Sequence, residues 1–329
     1  MKPEDQFYDN TRVSGYETCE RKYFFRHEMH LTPEGTAPEL VFGLAWHAAC
    51  DVIWGHTDKV GADKLAALAF AKWEERWTEG GLPPHEEITP DVADWLRMRT
   101  PTTASLMIPE YIAARQDRLV NEFEVLGIEQ PFAVPLDPND PTLWYCGRLD
   151  KVYRDKMRGG IYVVDHKTTS QYLKDGYFRQ SWVDSFSPDA QMDGYAYAAK
   201  MLYGDEFKGI IVDGALVHKT VHEGFCWIPV SRGVDKLDEW LWRTLRRVKE
   251  IRADEAKLKQ CDTEAIYLDA FPKKTGACFN YNKPCSYIDF CKGVANPLAE
   301  LDEYGTPPGF EISEWSPFDV NNLRSIMDG

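Results

Sequence analysis

The chain lacks any apolar stretch approaching the about 20 consecutive residues that a membrane-spanning helix needs. Its first residues, Met1-Lys2-Pro3-Glu4-Asp5, hold no apolar core of a secretion signal. These absences point to a soluble, intracellular, cytoplasmic protein. No Gly-x-x-x-x-Gly-Lys phosphate loop is present, so no helicase motor is attached, and no internal repeat is visible. Basic residues are the minority: 38 Lys and Arg against 53 Asp and Glu, a net charge of −15. At first sight this argues against nucleic acid, which is bound through Lys and Arg at phosphates. Overall charge, however, is a poor guide to a local groove. Part of the acidity is gathered late, at Glu300, Asp302, Glu303, Glu311 and Glu314. A basic stretch opposes it: Arg243, Arg246, Arg247, Lys249, Arg252, Lys257 and Lys259 form either an ordinary charged helix face or a track for DNA. Disulfides are not expected inside a cell, so the eight cysteines are better read as metal ligands and buried thiols.

The 329 residues and plentiful aromatics, including 11 Trp, allow a large core. Hydrophobic spacing predicts helices over Leu40 to Trp54, Ala62 to Trp77 and Leu106 to Phe123, with Pro83-Pro84 breaking the chain between the last two. Strands are predicted at Val125 to Val134, Leu143 to Val152 and Gly160 to Asp165, with Arg158-Gly159-Gly160 turning between the last pair. A helix from Pro188 to Tyr203, strands at Gly209 to Val217 and Phe225 to Val230, and a long helix from Val234 to Lys259 follow. A cysteine-rich segment and a Pro-containing acidic tail from Asn296 complete the chain.

Chemistry concentrates at Gly147-Arg148-Leu149-Asp150 and, one hairpin later, Val163-Val164-Asp165-His166-Lys167. Side chains alternate along a strand, so Asp165 and Lys167 share a face and His166 points away. If the two strands pair, Asp150 sits beside Asp165. Two carboxylates and an ammonium then converge on one point. The carboxylates suit a hard divalent cation such as Mg²⁺, and the lysine can orient or deprotonate a water. That is equipment for metal-assisted hydrolysis of a phosphodiester. Asp-x-Lys alone is a common tripeptide that usually ends a solvated strand; the rest of the pattern gives it weight.

Other candidates are short motifs. His47 lies in the mainly apolar helix Val41 to Ile53, where a core histidine is the plainer reading. Glu129, one strand before Asp150, is either an additional metal ligand or a strand-edge carboxylate. Gln191 and Tyr195 stand one helical turn apart on one face; Tyr195 could equally pack helix on sheet. Cys278, Cys285 and Cys291 are spaced Cys-x6-Cys-x5-Cys, looser than the tight zinc patterns. Spacing alone does not choose between zinc and iron–sulfur, and the fourth ligand is either Cys19 or Cys261. Cys50, Cys146 and Cys226 look like buried thiols. His218, His222 and Cys226 do not share a face across a strand-turn-strand and are read as structural.

Taken in order, these motifs resemble the PD-(D/E)XK nuclease superfamily over residues 14 to 292. The branch is that of RecB-like domains, which includes iron–sulfur exonucleases of the AddB and CRISPR-associated kinds. Its early Gly-to-His helix matches Gly43-Leu44-Ala45-Trp46-His47, and its Gln-x-x-x-Tyr motif matches Gln191-Met192-Asp193-Gly194-Tyr195. The family's "PD" proline is replaced by Leu149, as is common in this branch. The resemblance implies an α/β fold with a restriction-endonuclease-like core: a mixed central sheet flanked by helices, a helical N-terminal region and a C-terminal cysteine clamp. It implies one nuclease domain over 1–294, with a helical portion near 40–123 and a catalytic core near 124–260, then a tail over 295–329. It implies Mg²⁺ or Mn²⁺ on His47, Asp150, Asp165 and the His166 carbonyl, with catalytic roles for Asp150, Asp165, Lys167, Gln191 and Tyr195. Thr18-Cys19-Glu20-Arg21-Lys22-Tyr23 resembles the branch's N-terminal Cys-x-x-x-Tyr element, and Pro284-Cys285 through Phe290-Cys291 its C-terminal clamp. By that likeness Cys19, Cys278, Cys285 and Cys291 hold a [4Fe–4S] cluster, with Zn²⁺ the alternative. The implied function is DNA cleavage, exonucleolytic on single strands or free ends, in repair, recombination or viral DNA processing, with recombination or replication proteins as partners. A non-catalytic DNA-binding or assembly subunit on the same fold is the alternative.

Overall fold

The computed structural model describes residues 5–35, 37–171, 177–280 and 283–314. Residues 315–329, the end of the expected acidic tail, lie outside them. In chain order the elements are β1 (Gln6–Tyr8), α1 (Asn10–Thr18), α2 (Glu20–Tyr23), β2 (Leu31–Pro33), α3 (Pro38–His56), α4 (Ala62–Glu79), α5 (Pro90–Leu96) and α6 (Pro101–Asn121). Then come β3 (Phe123–Asp137), β4 (Asp140–Asp155), β5 (Ile161–Thr169), α7 (Gln180–Asp184), α8 (Ala190–Tyr203), β6 (Phe207–Leu216), β7 (Phe225–Val230) and α9 (Val234–Leu258). The short elements β8 (Phe279–Asn280), β9 (Lys283–Pro284), α10 (Ile288–Gly293), α11 (Pro297–Tyr304) and β10 (Phe310–Ile312) follow. Among the described residues no helix is long and apolar enough to cross a membrane.

The chain divides into two compact units. One comprises Met1–Gly35, Ala133–Gly147 and Val234–Gly329; the other comprises Thr36–Phe132 and Arg148–Gly233. β1 and β3 to β7 form a six-stranded mixed sheet flanked by helices, β2 with β10 and β8 with β9 form two-stranded sheets, and β3 and β4 run through both units.

In the second unit the helices follow their apolar stripes. α3 opens on Pro38, which fits the first helical turn because its missing N–H has no partner there anyway. It buries Val41, Phe42, Ala45, Trp46, Ala49, Cys50 and Ile53. α4 buries Leu65, Ala69, Trp73 and Trp77, every fourth residue, and the two indoles stack with centroids 4.9 Å apart. α6 starts at Pro101, ahead of the expected Leu106, because the Thr100 hydroxyl caps it by accepting from the Thr103 N–H at 3.1 Å. Phe123 opens β3 instead of ending that helix, and its ring stacks on Tyr153 at 4.0 Å. Residues of α3, α4 and α6 share one core with Tyr153, Val164 and Ala215 of the sheet and with Val217, just after β6. α8 packs on β5 and β6. It begins at Ala190, after the expected Pro188, because the Asp189 carboxylate accepts from the N–H groups of Gln191 and Met192 at 2.8 and 3.0 Å.

The β4–β5 hairpin sets the register. Asp155 Oδ1 accepts from the N–H groups of Met157 and Arg158, each at 2.8 Å, and Gly159 and Gly160 carry φ of +72° and +89°. Glycine takes such angles without steric cost. The ladder pairs Lys151 with Val164 through Arg154 with Ile161, so its next step places Asp150 opposite Asp165. β5 then runs parallel to β6, with His166 opposite Asp213 and Lys167 opposite Gly214, and β6 is antiparallel to β7.

In the first unit β1 pairs in parallel with β4 (Gln6 with Leu143), and β2 pairs with β10. The early helices pack on late segments. The Tyr16 hydroxyl donates to Asp254 of α9 at 2.6 Å, Arg21 donates to the Phe271 carbonyl at 2.9 Å, and the Tyr287 hydroxyl donates to the Leu31 carbonyl at 2.7 Å. Phe25, Tyr287 and Phe310 stack in series. The segment after Asn296 forms α11 and β10.

Asp9 caps α1, accepting from the Arg12 N–H at 2.7 Å. Burial pushes its carboxyl up to about 6, against the lowering effect of that hydrogen bond and of the Arg12 charge. The folded state therefore binds this proton more tightly than the unfolded chain, and stability declines as pH rises from about 4 to 6. Asparagine caps as well as aspartate and carries no charge to bury. Asp9→Asn should raise the melting temperature at pH 7 relative to the unmodified chain, with the gain shrinking towards pH 4. A gain that is equal at both pH values would contradict the assignment.

Candidate active site

The backbone of one residue, His166, organises the site. The backbone N–H of His166 donates to Asp150 Oδ2 at 2.8 Å, and its carbonyl oxygen lies 2.8 Å from His47 Nε2. The other imidazole nitrogen, Nδ1, is 3.2 Å from the same Asp150 oxygen. α3, β4 and β5 thus bring His47, Asp150 and the His166 carbonyl to one point. Asp150 is buried, which alone would raise its carboxyl. His47, its hydrogen bond, and the charges of Lys151 and His166 outweigh burial and hold it well below the usual carboxylate range. The converse holds for His47: burial disfavours its cation, but Asp150 raises it above the ordinary histidine value.

The second half of the site lies on β5 and α8. Lys167 Nζ is 2.7 Å from Asp165 Oδ2 and donates to Gln191 Oε1 at 3.0 Å; Gln191 Nε2 in turn donates to the Tyr195 hydroxyl at 3.0 Å. Burial raises Asp165 to about 6, with Lys167 opposing and Asp150 adding to the rise. Burial also disfavours the Lys167 cation, yet Asp165 and Asp150 raise it above the ordinary lysine value. At neutral pH the pair is carboxylate and ammonium. Lys167 is then a hydrogen-bond donor that orients, and not a base that accepts a proton.

Glu129 comes close as well. One ligand atom each from His47, Glu129 and Asp150 lie within 4.8 Å of one another. Glu129 has a φ of +50°, uncommon for a residue with a Cβ. Its Oε2 is paired with Arg148 at 2.7 Å, while its Oε1 is buried without a hydrogen-bond partner. Burial, then Asp51 and Asp150, raise this carboxyl. An imidazole and two carboxylates, one with an orphaned oxygen, are the donor chemistry of a divalent-cation site, so the residues present fit Mg²⁺ or Mn²⁺.

Two contacts escape the sequence motifs. Lys151 is 0 % exposed and its Nζ pairs with Asp51 at 2.5 Å. Asp51 stands one helical turn after His47, a spacing that would have flagged it. Asp213 lies beside the His166 ring, and only strand register brings it there.

Cys19, Cys278, Cys285 and Cys291 all line a cavity of about 180 Å³ in the first unit, together with Lys22, Phe25 and Tyr287. Burial raises the Cys291 thiol, with Cys19 and Cys278 adding to the rise and Lys273 and Arg21 opposing it. Cys261 is not among the lining residues. Cys50 and Cys146 are buried, and Cys226 is partly buried. His218 Nδ1 accepts from the N–H groups of Thr220 and Val221, each at 3.1 Å, a turn-forming role. On α9, Arg246 and Arg247 pair with Glu250, and Arg252 pairs with Asp140 at 2.9 Å, so these three cations form an ion-paired face.

A comparison with curated protein sequences found no match. A solved structure from Eubacterium rectale, described as a candidate exonuclease, is similar over 88 % of this chain and 94 % of its own, at 13 % identity and a TM-score of 0.44. The family model of the PD-(D/E)XK nuclease superfamily matches residues 10–292. That span holds Asp150 of β4 and Asp165 and Lys167 of β5, and the chain belongs to the PD-(D/E)XK nuclease superfamily.

Proposed function

We propose that the protein is a metal-dependent deoxyribonuclease, acting as an exonuclease on single-stranded DNA or free ends. The observation that carries this reading is the convergence of Asp150, His47 and the His166 peptide beside the Asp165–Lys167–Gln191 chain. His47, Asp150, Asp165 and the His166 carbonyl would hold Mg²⁺ or Mn²⁺, with Glu129 Oε1 as a further donor. Bound there, the cation supplies Lewis-acid polarisation of a phosphodiester oxygen and activation of water. Asp150 and Asp165 keep the site anionic. Lys167, fixed between Asp165 and Gln191, donates a hydrogen bond that orients the attacking water. The same ammonium offsets charge that develops on the phosphorus oxygens. Tyr195 holds the Gln191 amide in the orientation that accepts from Lys167. The partners are DNA and proteins of recombination, repair or replication.

The cysteine set supports placement in the RecB-like branch with a [4Fe–4S] clamp. Four thiols of widely separated sequence positions surround one cavity. The ligand set would close a loop of most of the chain, so the cluster's first role is structural. The surrounding Phe25–Tyr287 stack and the Arg21–Phe271 bond join the same chain segments without metal.

Asp165→Ala and Lys167→Ala should each lower Mn²⁺-dependent DNA cleavage by about a hundred- to a thousandfold with the melting temperature nearly unchanged. Undiminished cleavage in either purified protein would overturn the catalytic assignment, and no Mn²⁺-dependent cleavage by the unmodified chain would favour a non-catalytic DNA-binding subunit. Protein purified without oxygen should be brown and contain iron and sulfide. Cys19→Ser should lose that iron and Cys261→Ser should keep it. Stoichiometric zinc without iron would replace the cluster with a zinc clamp.

A further inference from the structure

His166 is wholly buried, and neither of its ring nitrogens has a hydrogen-bond partner. An unpaired polar ring in a core is costly and calls for a reason. The ring is enclosed edge-to-face by His47, Trp54 and Tyr111, with centroids 5.8, 6.0 and 6.3 Å away. Its Nδ1 stands 3.6 Å from Asp213 Oδ2, just beyond hydrogen-bond range.

Asp213 is 1 % exposed and lies opposite His166 in the β5–β6 register. Its carboxylate is held from both sides. The Tyr111 hydroxyl donates to Oδ2 at 2.7 Å, Arg115 donates to Oδ1 at 2.7 Å, and Trp54 Nε1 donates to the Tyr111 hydroxyl at 3.0 Å. Stability alone does not account for this group, because a buried ion pair is often replaceable by apolar residues at no loss. Its placement does suggest a use. The His166 side chain shares its Cα with the backbone N–H that bonds Asp150 and with the carbonyl that faces His47. The carboxylate favours the ring orientation that turns Nδ1 towards it, and the three enclosing rings leave little room for another.

We infer that Asp213 is a positioning residue of the metal centre: held by Tyr111 and Arg115, it orients the His166 ring and, through the Cα, the backbone N–H that meets Asp150 and the carbonyl that meets His47. The inference rests on the proposed metal-dependent reading of the site. Partners behind a metal ligand typically change metal affinity by about 10- to 100-fold when removed.

The test is calorimetric titration of the purified full chain with Mn²⁺ alone, with melting temperatures measured alongside. Asp213→Asn should weaken Mn²⁺ binding by about tenfold or more. Tyr111→Phe, which keeps the Arg115 ion pair, should weaken it in the same direction. His166→Phe keeps the peptide and fits the aromatic surround, and in that background Asp213→Asn should have no further effect. Asp150→Asn serves as the control. If the unmodified chain binds no Mn²⁺, or Asp150→Asn binds it equally well, the metal reading itself fails. If Asp150→Asn loses binding while Asp213→Asn does not shift it, the positioning role alone is overturned. That role is overturned too if Asp213→Asn keeps its full effect in the His166→Phe background. Should Asp213→Asn not fold, Tyr111→Phe carries the test, and an unshifted affinity there is the overturning result.

Discussion

The His166 backbone is the constraint on which the site depends. Its N–H fixes Asp150 and its carbonyl faces His47, so three elements are referred to the main-chain groups of one strand residue. The β4–β5 register delivers Asp150 to that residue, and the Asp155 turn with Gly159 and Gly160 delivers the register. A slip of one residue would send Asp165 and Lys167 to the opposite face. The core of α3, α4 and α6 then holds His47 above the strands, since Trp46 beside it is fully buried. Packing, turn chemistry and the reactive groups are thus one chain of causes.

The charges follow the same logic. Burial alone would make each of Asp150, Asp165, His47 and Lys167 shed its charge. Opposite charges at hydrogen-bond distance reverse this for three of them, whereas Asp165 remains raised to about 6. Lys151 with Asp51 and Asp213 with Arg115 place further ion pairs beneath the site. Such a concentration of buried ionisable groups is what functional sites require and what a simple core avoids.

Much of this was legible in the sequence. The α/β order, the hairpin turn and the helix carrying His47 follow from periodicity and from glycines at the β4–β5 turn, whereas the mixed sheet is what the family resemblance implies. The site residues belong to short motifs whose strand alternation already places Asp165 and Lys167 together. The start of α6 was written in Thr100-Pro101, a cap signal easily passed over beside a strong apolar stripe. Other features were beyond reach. β1, β2 and β10 are three residues each, too short for periodicity, and their partners lie far along the chain. The burial of Lys151 depends on Asp51, a hundred residues away. The approach of Glu129 depends on a left-handed backbone that no local composition announces.

The most direct test of the metal centre is a crystal structure of the protein grown with Mn²⁺ and recorded at a wavelength where manganese scatters anomalously. One strong anomalous peak is expected among His47, Asp150, Asp165 and the His166 carbonyl, lost in Asp150→Asn. A well-ordered site without such a peak, or manganese bound only elsewhere, would contradict it.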